Sequence, residues 1–429
     1  MALQKLGEGG ATAYIVGGCV RDSLLGTEPK DYDITTSARP REIVRLFHGY
    51  KIVASGIKHG TVAVAIGGRL VEITTYRTEG SYSDHRRPDS VSFTDNIEGD
   101  LSRRDFTVNA MAYSLESGLV DPFDGARDLR DSVLCAVGDP DARFSEDALR
   151  ILRGVRFAAV YDLEPEPATA SAMIKNAELL KNISAERIYT ELVGTIDGEY
   201  AEKYLYKFRQ AYAHVLPEFM EMASRPDSLH GDALRRALAV VSRVGTVKFI
   251  SKVKPEPVWL RLAALFREVG EDREISAKTA DNIMRRLKTD RLTRENTVAL
   301  IREPELMEFS RAAIRRFIAK LSPERAAAFL KLHIAAAETA GEIDKASDYR
   351  HALEVADEIM ESGECVSRLA LEINGDDLIA LGVPPGIGMG ELIDTLFFEV
   401  LDGKTDNTKP ALAARAAEIT GNGRYGWGQ

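Results

Sequence analysis

The sequence predicts an α+β protein: a small mixed β-sheet domain first, then all-α domains to the end of the chain. Three observations carry this. Short runs rich in β-branched residues, separated by glycine pairs, occupy the chain before Gly138. From Ser145 the apolar residues recur with a helical period, and beyond about residue 200 helical stripes are broken only around Pro255, Pro257, Pro304 and Pro323. A length of 429 residues is enough for several cores and suggests two to four domains.

Ala13-Tyr14-Ile15-Val16 reads as a short buried strand. Gly17-Gly18 follow it, and a glycine pair there lets backbone N–H groups approach an anion with no Cβ in the way. Arg21 stands where a bidentate fork suits a phosphate. Asp31-Tyr32-Asp33 then places two carboxylates at i and i+2, on one face of an extended strand. Two such oxygen ligands can share a pair of Mg²⁺ ions for in-line nucleotidyl transfer.

Arg39 to His48 is helix-compatible. The runs Gly60 to Ile66 and Arg69 to Tyr76 read as a hairpin around Gly67-Gly68. Glu72 faces away from Val71 and Ile73, as either a third carboxylate beside the Asp pair or a solvated position. Arg77 to Ser92, with Arg86-Arg87, reads as a mobile polar loop. Arg103-Arg104-Asp105, with Asn109 four residues on, reads as a basic pair heading a helix. Ser145 is a plausible N-cap for a helix whose Asp147, Arg150, Arg153 and Arg156 share one flank, with Leu149, Leu152 and Val155 on a core stripe.

The succession GG-x-V-R-D, D-x-D, R-R-D-x-x-x-N-A and E-D-x-x-R resembles the class II tRNA nucleotidyltransferases and bacterial poly(A) polymerases, strongly over residues 15–192 and more loosely beyond. The tail run Gly375 to Leu392 resembles that of the short Gram-positive type of CCA-adding enzyme, and its glycines precede an expected helix, Glu391 to Leu401. The resemblance implies a catalytic head over 1–138, a turn-rich hairpin over 121–140 and a nucleotide-selecting neck over 139–200. It further implies an RNA-binding body over 201–310 and a tRNA-binding tail over 311–429.

The implied activity is untemplated addition of C, C and A to tRNA 3′ ends from CTP and ATP, with Mg²⁺ on Asp31 and Asp33. Gly17, Gly18, Arg21, Arg104, Asp105 and Asn109 would hold triphosphate and sugar. Arg153 and Arg156 would hold the nucleotide, and the loop with Arg86-Arg87 would act in the switch from C to A. Asp147 accepts from an exocyclic amino group while Arg150 donates to a ring nitrogen, a pattern that suits C and A and mismatches G and U. The alternatives are a CC- or A-adding specialist, a poly(A) polymerase and, remotely, a non-catalytic RNA-binding protein.

Composition bounds the rest. Three scattered cysteines, Cys19, Cys135 and Cys365, fit neither a disulfide scaffold nor a zinc site and suggest a reducing cytoplasm. No apolar run approaches the ~20 residues a membrane helix needs, and the polar N-terminus lacks a signal-peptide pattern. No membrane or DNA partner is expected. The net charge of −10 disfavours indiscriminate nucleic-acid binding and leaves a shape-selective RNA partner open. Phe266-Arg267-Glu268 stands where a His-Asp phosphohydrolase pair would occur in relatives, so no second metal site is expected.

Overall fold

The computed structural model describes residues 1–53, 55–80, 90–246 and 257–421. It divides into two compact units. The first comprises residues 1–226, 232–235 and 283–289; the second comprises 227–231, 236–282 and 290–429.

The first unit opens with α1 (Ala2–Glu8), β1 (Ala13–Val16), α2 (Gly18–Leu24), β2 (Asp33–Thr36) and α3 (Pro40–Leu46). Three strands follow, β3 (Ile52–Val53), β4 (Thr61–Ile66) and β5 (Arg69–Thr75). The expected hairpin is present: Ile66 pairs with Arg69 across Gly67 and Gly68, both at positive φ. A two-residue turn with both φ angles positive matches the twist of the flanking strands, and glycine adopts it without a Cβ clash.

With β8 (Ala112–Ser114) and β9 (Gly118–Val120), a seven-stranded sheet forms in the order β3-β4-β5-β2-β1-β8-β9. The β2–β5 pair is parallel and the others are antiparallel, so the sheet is mixed. Alternation along each strand sets two different faces. Ile34, Val62, Val64 and Ile73 join Leu6, Ile43 and Phe47 in one apolar cluster. Burying side chains of this kind contributes roughly 1.5–3 kcal/mol each. A second cluster gathers Val16, Leu101, Ala110, Ala112 and Val137.

β6 (Arg77–Glu79) and β7 (Val91–Phe93) pair as an antiparallel ribbon. The ends of the expected loop are therefore strands, while Arg86 and Arg87 lie outside the described residues. α4 (Ile97–Ser102) ends at Arg103. The basic pair thus follows a helix instead of heading one, where cations meet the negative end of the dipole.

Residues 121–140 correct the expectation of a hairpin. They form α5 (Gly125–Arg130) and β10 (Val133–Leu134), which pairs in parallel with β11 (Glu164–Pro165). A Cβ on Gly125 would lie 2.1 Å from the Thr107 carbonyl oxygen, so only glycine lets α5 start there.

The neck also differs from its sequence reading. α6 (Pro140–Glu146), capped by Asp139, already contains Ser145, and the chain turns extended at Asp147 before α7 (Leu149–Tyr161). Ala148 rather than Ser145 stands at the start of α7, and the carboxylate of Asp147 just before it accepts from the Leu149 N–H at 3.1 Å, capping the first turn. α8 (Pro167–Lys175) and α9 (Ala185–Ile196) follow, and α9 packs along α7.

The second unit is helical. Pro323–Thr339 and Ile343–Glu361 form its long antiparallel pair. Near the C-terminus Cys365, Leu371, Ile373, Leu378, Leu392, Leu396, Val400 and Leu412 close a separate core. The tail helix spans Ile387–Leu401, starting before the expected Glu391, so Gly388 and Gly390 lie inside it while Gly375, Gly382 and Gly386 precede it.

Candidate active site

Asp33 begins β2 and is the register partner of Glu72 on parallel β5, so the two side chains share a sheet face. Asp31 lies just before the strand. Asp33 is open to solvent on one side. Enough protein surrounds its carboxyl for desolvation to lift it above the usual range; Arg104 opposes the rise and Asp31 adds to it. Among the described residues no group of three or more His, Cys, Asp or Glu side chains is gathered closely enough to hold a metal ion. Glu72 is thus beside Asp33 without closing a three-carboxylate cluster.

The same face continues through Thr35 to a carboxylate that sequence reasoning missed. Asp100 is fully buried and accepts from the Thr35 hydroxyl at 3.1 Å and the Arg77 N–H at 3.2 Å. Arg103 pairs with it at 2.9 Å and Arg104 at 3.7 Å. Burial alone would raise its pKa, but the two guanidiniums hold it below the ordinary carboxylate range. Its one sequence signal was the i,i+3 and i,i+4 spacing to the basic pair.

Arg104 thereby stands between Asp100, Asp33 and the glycine turn. Gly17 has φ +78°, and a Cβ there would come within 2.8 Å of Arg104 Nη1. The positive φ favours glycine, and a side chain there would also displace the Arg104 guanidinium. Arg104 Nε is buried without a hydrogen-bond partner among the described residues. An orphaned N–H beside an open carboxylate pair suits an anionic ligand.

Other predicted residues are drawn together differently. Arg21 is only 6% exposed. It donates to Asn109 Oδ1 at 2.5 Å, to Asp22 Oδ1 at 2.7 Å and to the Tyr161 hydroxyl at 2.6 Å. Its guanidinium also lies 4.3 Å from the Tyr161 ring centroid. It is therefore an internal strut here, not the open phosphate fork that its position in sequence suggested. Asn109 in turn donates to Asp105 at 3.3 Å, and Arg153 grips the other Asp105 oxygen at 2.7 and 2.8 Å. Arg156 donates to Glu191 on α9 at 2.6 Å. Arg153 and Arg156 both have protein partners, whereas the sequence reading aimed them at nucleotide.

Asp147 and Arg150 lie close in sequence but pair elsewhere. Asp147 Oδ2 accepts from Arg187 at 2.7 Å. Arg150, 8% exposed, donates to Glu146 at 2.6 Å and to the Arg103 carbonyl at 3.0 Å. Arg187 carried no sequence signal for this role.

Family comparisons follow the same division. Residues 13–135 match the "Poly A polymerase head domain", 162–222 the polymerase A "RNA and SrmB- binding site", and 273–416 "tRNA nucleotidyltransferase domain 2". A CCA-adding enzyme of Streptococcus suis is 35% identical over 414 residues, 96% of this chain and 93% of that protein. The chain belongs to the CCA-adding enzyme family. It is accordingly a nucleotidyltransferase. The Bacillus stearothermophilus CCA-adding enzyme in complex with CTP is similar at 27% identity and a TM-score of 0.73, with 98% of this chain and 96% of that one covered. A tRNA nucleotidyltransferase complexed with a primer tRNA and an incoming ATP analogue is similar at 25% identity and a TM-score of 0.62, over 84% of this chain and 99% of that one. The mixed sheet followed by helices, expected from sequence, is the fold of this CCA-adding enzyme family.

Proposed function

We propose that this chain adds C, C and A to the 3′ end of tRNA from CTP and ATP, with its own side chains in place of a nucleic-acid template. The observation that carries this is the Asp31–Asp33 pair on the face that also holds Arg104 and the Gly17 turn, in a chain related over nearly its whole length to a CCA-adding enzyme. The working partition is a head over 1–138, a neck over 139–200, a body over 201–310 and a tail over 311–429; the head-domain match over 13–135 supports the first part, while the other two matches run across the later boundaries.

Asp31 and Asp33 are the residues that would hold Mg²⁺. Their donor set fits: two crowded carboxyl groups, where desolvation and the neighbouring Asp31 make the charge on Asp33 costly, so a divalent cation bound to both would relieve that cost. Bound there, the metal would supply Lewis acidity for attack of the terminal ribose hydroxyl on the α-phosphate and for departure of pyrophosphate. Gly17 and Gly18 let the backbone approach closely, and Arg104, whose Nη1 lies beside Gly17, is the cation nearest the triphosphate. Glu72 shapes the same face. Asp105, Asn109 and Arg21 fix that approach to α7 through their hydrogen-bonded chain, and Arg153 and Arg156 anchor the helix.

Base choice follows from exchange. Asp147 and Arg150 already hold bonds to Arg187 and Glu146, so a base that displaces these must return equivalent ones. Cytosine and adenine offer an amino donor to Asp147 and a ring acceptor to Arg150. Uracil and guanine present the reverse and leave both groups unpaired. Three unpaired thiols support work in the cytoplasm, and among the described residues no helix is long and apolar enough to cross a membrane.

The test is incubation of purified protein with tRNA lacking its 3′ end, with CTP and ATP separately and together, followed by sequencing of the product. CCA is expected with both nucleotides and CC with CTP alone, and Asp31→Ala or Asp33→Ala should abolish both. A long A tract would instead identify a poly(A) polymerase, and substantial Mg²⁺-dependent addition by either variant would remove the Asp pair from the mechanism.

A further inference from the structure

The second unit contains a cavity of about 180 Å³ far in sequence from the residues above. Val240, Ala336, Ala337 and Ala340 form its apolar wall. Arg267, Glu268, His333 and Lys345 are among its polar lining. Arg267 and Glu268 occupy the positions where the sequence lacks a His-Asp pair, and His333 lies on the buried helix Pro323–Thr339.

Most of the charge in this cavity is already matched. Arg236 donates to Asp227 and Glu268, each at 2.6 Å. Lys345 pairs with Glu305 at 2.9 Å and with Glu342 at 3.3 Å. The three carboxylates that line the cavity therefore each have a cationic partner.

Two groups stand apart. The Arg267 side chain is four-fifths buried, yet its ion pair with Glu268 spans 3.8 Å, and among the described residues its guanidinium donates no hydrogen bond. His333 is 7% exposed and is held between the Phe329 and Tyr349 rings, at centroid distances of 4.1 and 4.9 Å. That stacking fixes the plane of the imidazole. Among the described residues its ring nitrogens make no hydrogen bond, although the residue lines a polar cavity. Burial, followed by the charges of Arg267 and Lys345, keeps the ring neutral, so it can donate one N–H without adding charge.

A buried, unbonded imidazole and an uncommitted guanidinium on one small cavity are an unfilled hydrogen-bonding set. We propose that this cavity binds a phosphate-sized oxyanion, held by the Arg267 guanidinium and the His333 N–H. The carboxylates bar a large polyanion, and the cavity is smaller than the usual few hundred Å³ of a nucleotide-sized site, so a small singly placed anion is the match. Arg267 supplies a planar fork for two oxygens and His333 a single donor from another direction, which suits a tetrahedral anion better than a halide.

The test uses the full-length protein with ¹⁵N-labelled histidine and follows the His333 ring signals, identified by their loss in His333→Gln. Inorganic phosphate, chloride at matched ionic strength, and AMP are titrated separately. Phosphate is expected to shift the His333 signals saturably while chloride and AMP leave them near their starting positions. Arg267→Gln should weaken phosphate binding by about tenfold or more. Arg267→Lys keeps the charge, loses the fork and should also weaken it, which keeps the test open if the Gln variant does not fold. His333 signals that respond to chloride as they do to phosphate, or phosphate affinity unchanged in a folded Arg267 variant, would overturn the assignment. A response to AMP equal to that of phosphate would overturn the size limit and with it the site as described.

Discussion

Asp105 shows how much one carboxylate can organise. It is buried, accepts from the Phe106 N–H at 2.9 Å and from Asn109, and takes both donors of the Arg153 fork. Burial alone would raise its pKa; Arg153 outweighs burial and holds it below the ordinary carboxylate range. A folded-state pKa below the unfolded one stabilises the fold above the unfolded pKa, near 4, and that stability is lost as pH falls through the folded value. Asp105→Asn should therefore cost about 1–3 kcal/mol near neutrality, since the half-buried Arg153 loses its main counter-charge and the charged hydrogen bonds to it. The gap between the two proteins should narrow on acidification. Urea midpoints measured for both from about pH 7 to about pH 3 check this, and a gap that widened in acid would refute the sign. The Arg-Arg-Asp word itself was legible in sequence. What Asp105 grips was not, because Arg153 arrives from 48 residues away.

At the scale of the element, the start of α7 is the informative case. The stripe Leu149, Leu152, Val155 marks the helix correctly, and β1, β2 and the β4–β5 hairpin also fall where short-range patterns place them. Such features depend on period and turn chemistry within a few residues. The break at Asp147 escapes that logic, since Ser145 and Asp147 are both good caps and packing decides between them. Asp147 now has two proposed duties, capping α7 and reading the base. They can be separated. Asp147→Ser keeps a capping oxygen and should hold stability better than Asp147→Ala, which loses about 0.5–2 kcal/mol from the cap. Both should lower the preference for CTP over UTP by roughly tenfold to a hundredfold. Thermal unfolding together with single-turnover addition of each nucleotide gives the two readouts, and a Ser variant with full base preference would assign the reading elsewhere.

At the scale of the molecule, sequence patterns marked the sheet-then-helix order but not that Cys365 opens a core of its own within the expected tail. The core that includes Leu371, Ile373, Leu378 and Leu412 begins at Cys365, and a cut at a later point would divide it. Arg311 also bonds Glu364 at 2.5 Å, on the near side of that boundary. Removal of residues 365–429 should therefore leave a folded remainder that still extends a short acceptor minihelix, with weaker binding of whole tRNA. Equal loss on both substrates, in a protein with native helical content, would show that the tail does not report on tRNA length.

The bond from Arg21 to Tyr161 closes a loop of 140 residues, and Ile15 pairs with Tyr113 across nearly a hundred. Contacts so distant in sequence form late, because loop-closure entropy is incurred before they yield any stability. During synthesis the Gly67-Gly68 hairpin can form from its own residues, but the walls of the catalytic cleft cannot meet until the far end of α7 has emerged. A nascent chain that already displays the Asp pair still lacks the helix proposed to choose the base. On this molecule, the capacity to join nucleotides and the capacity to select them become available together.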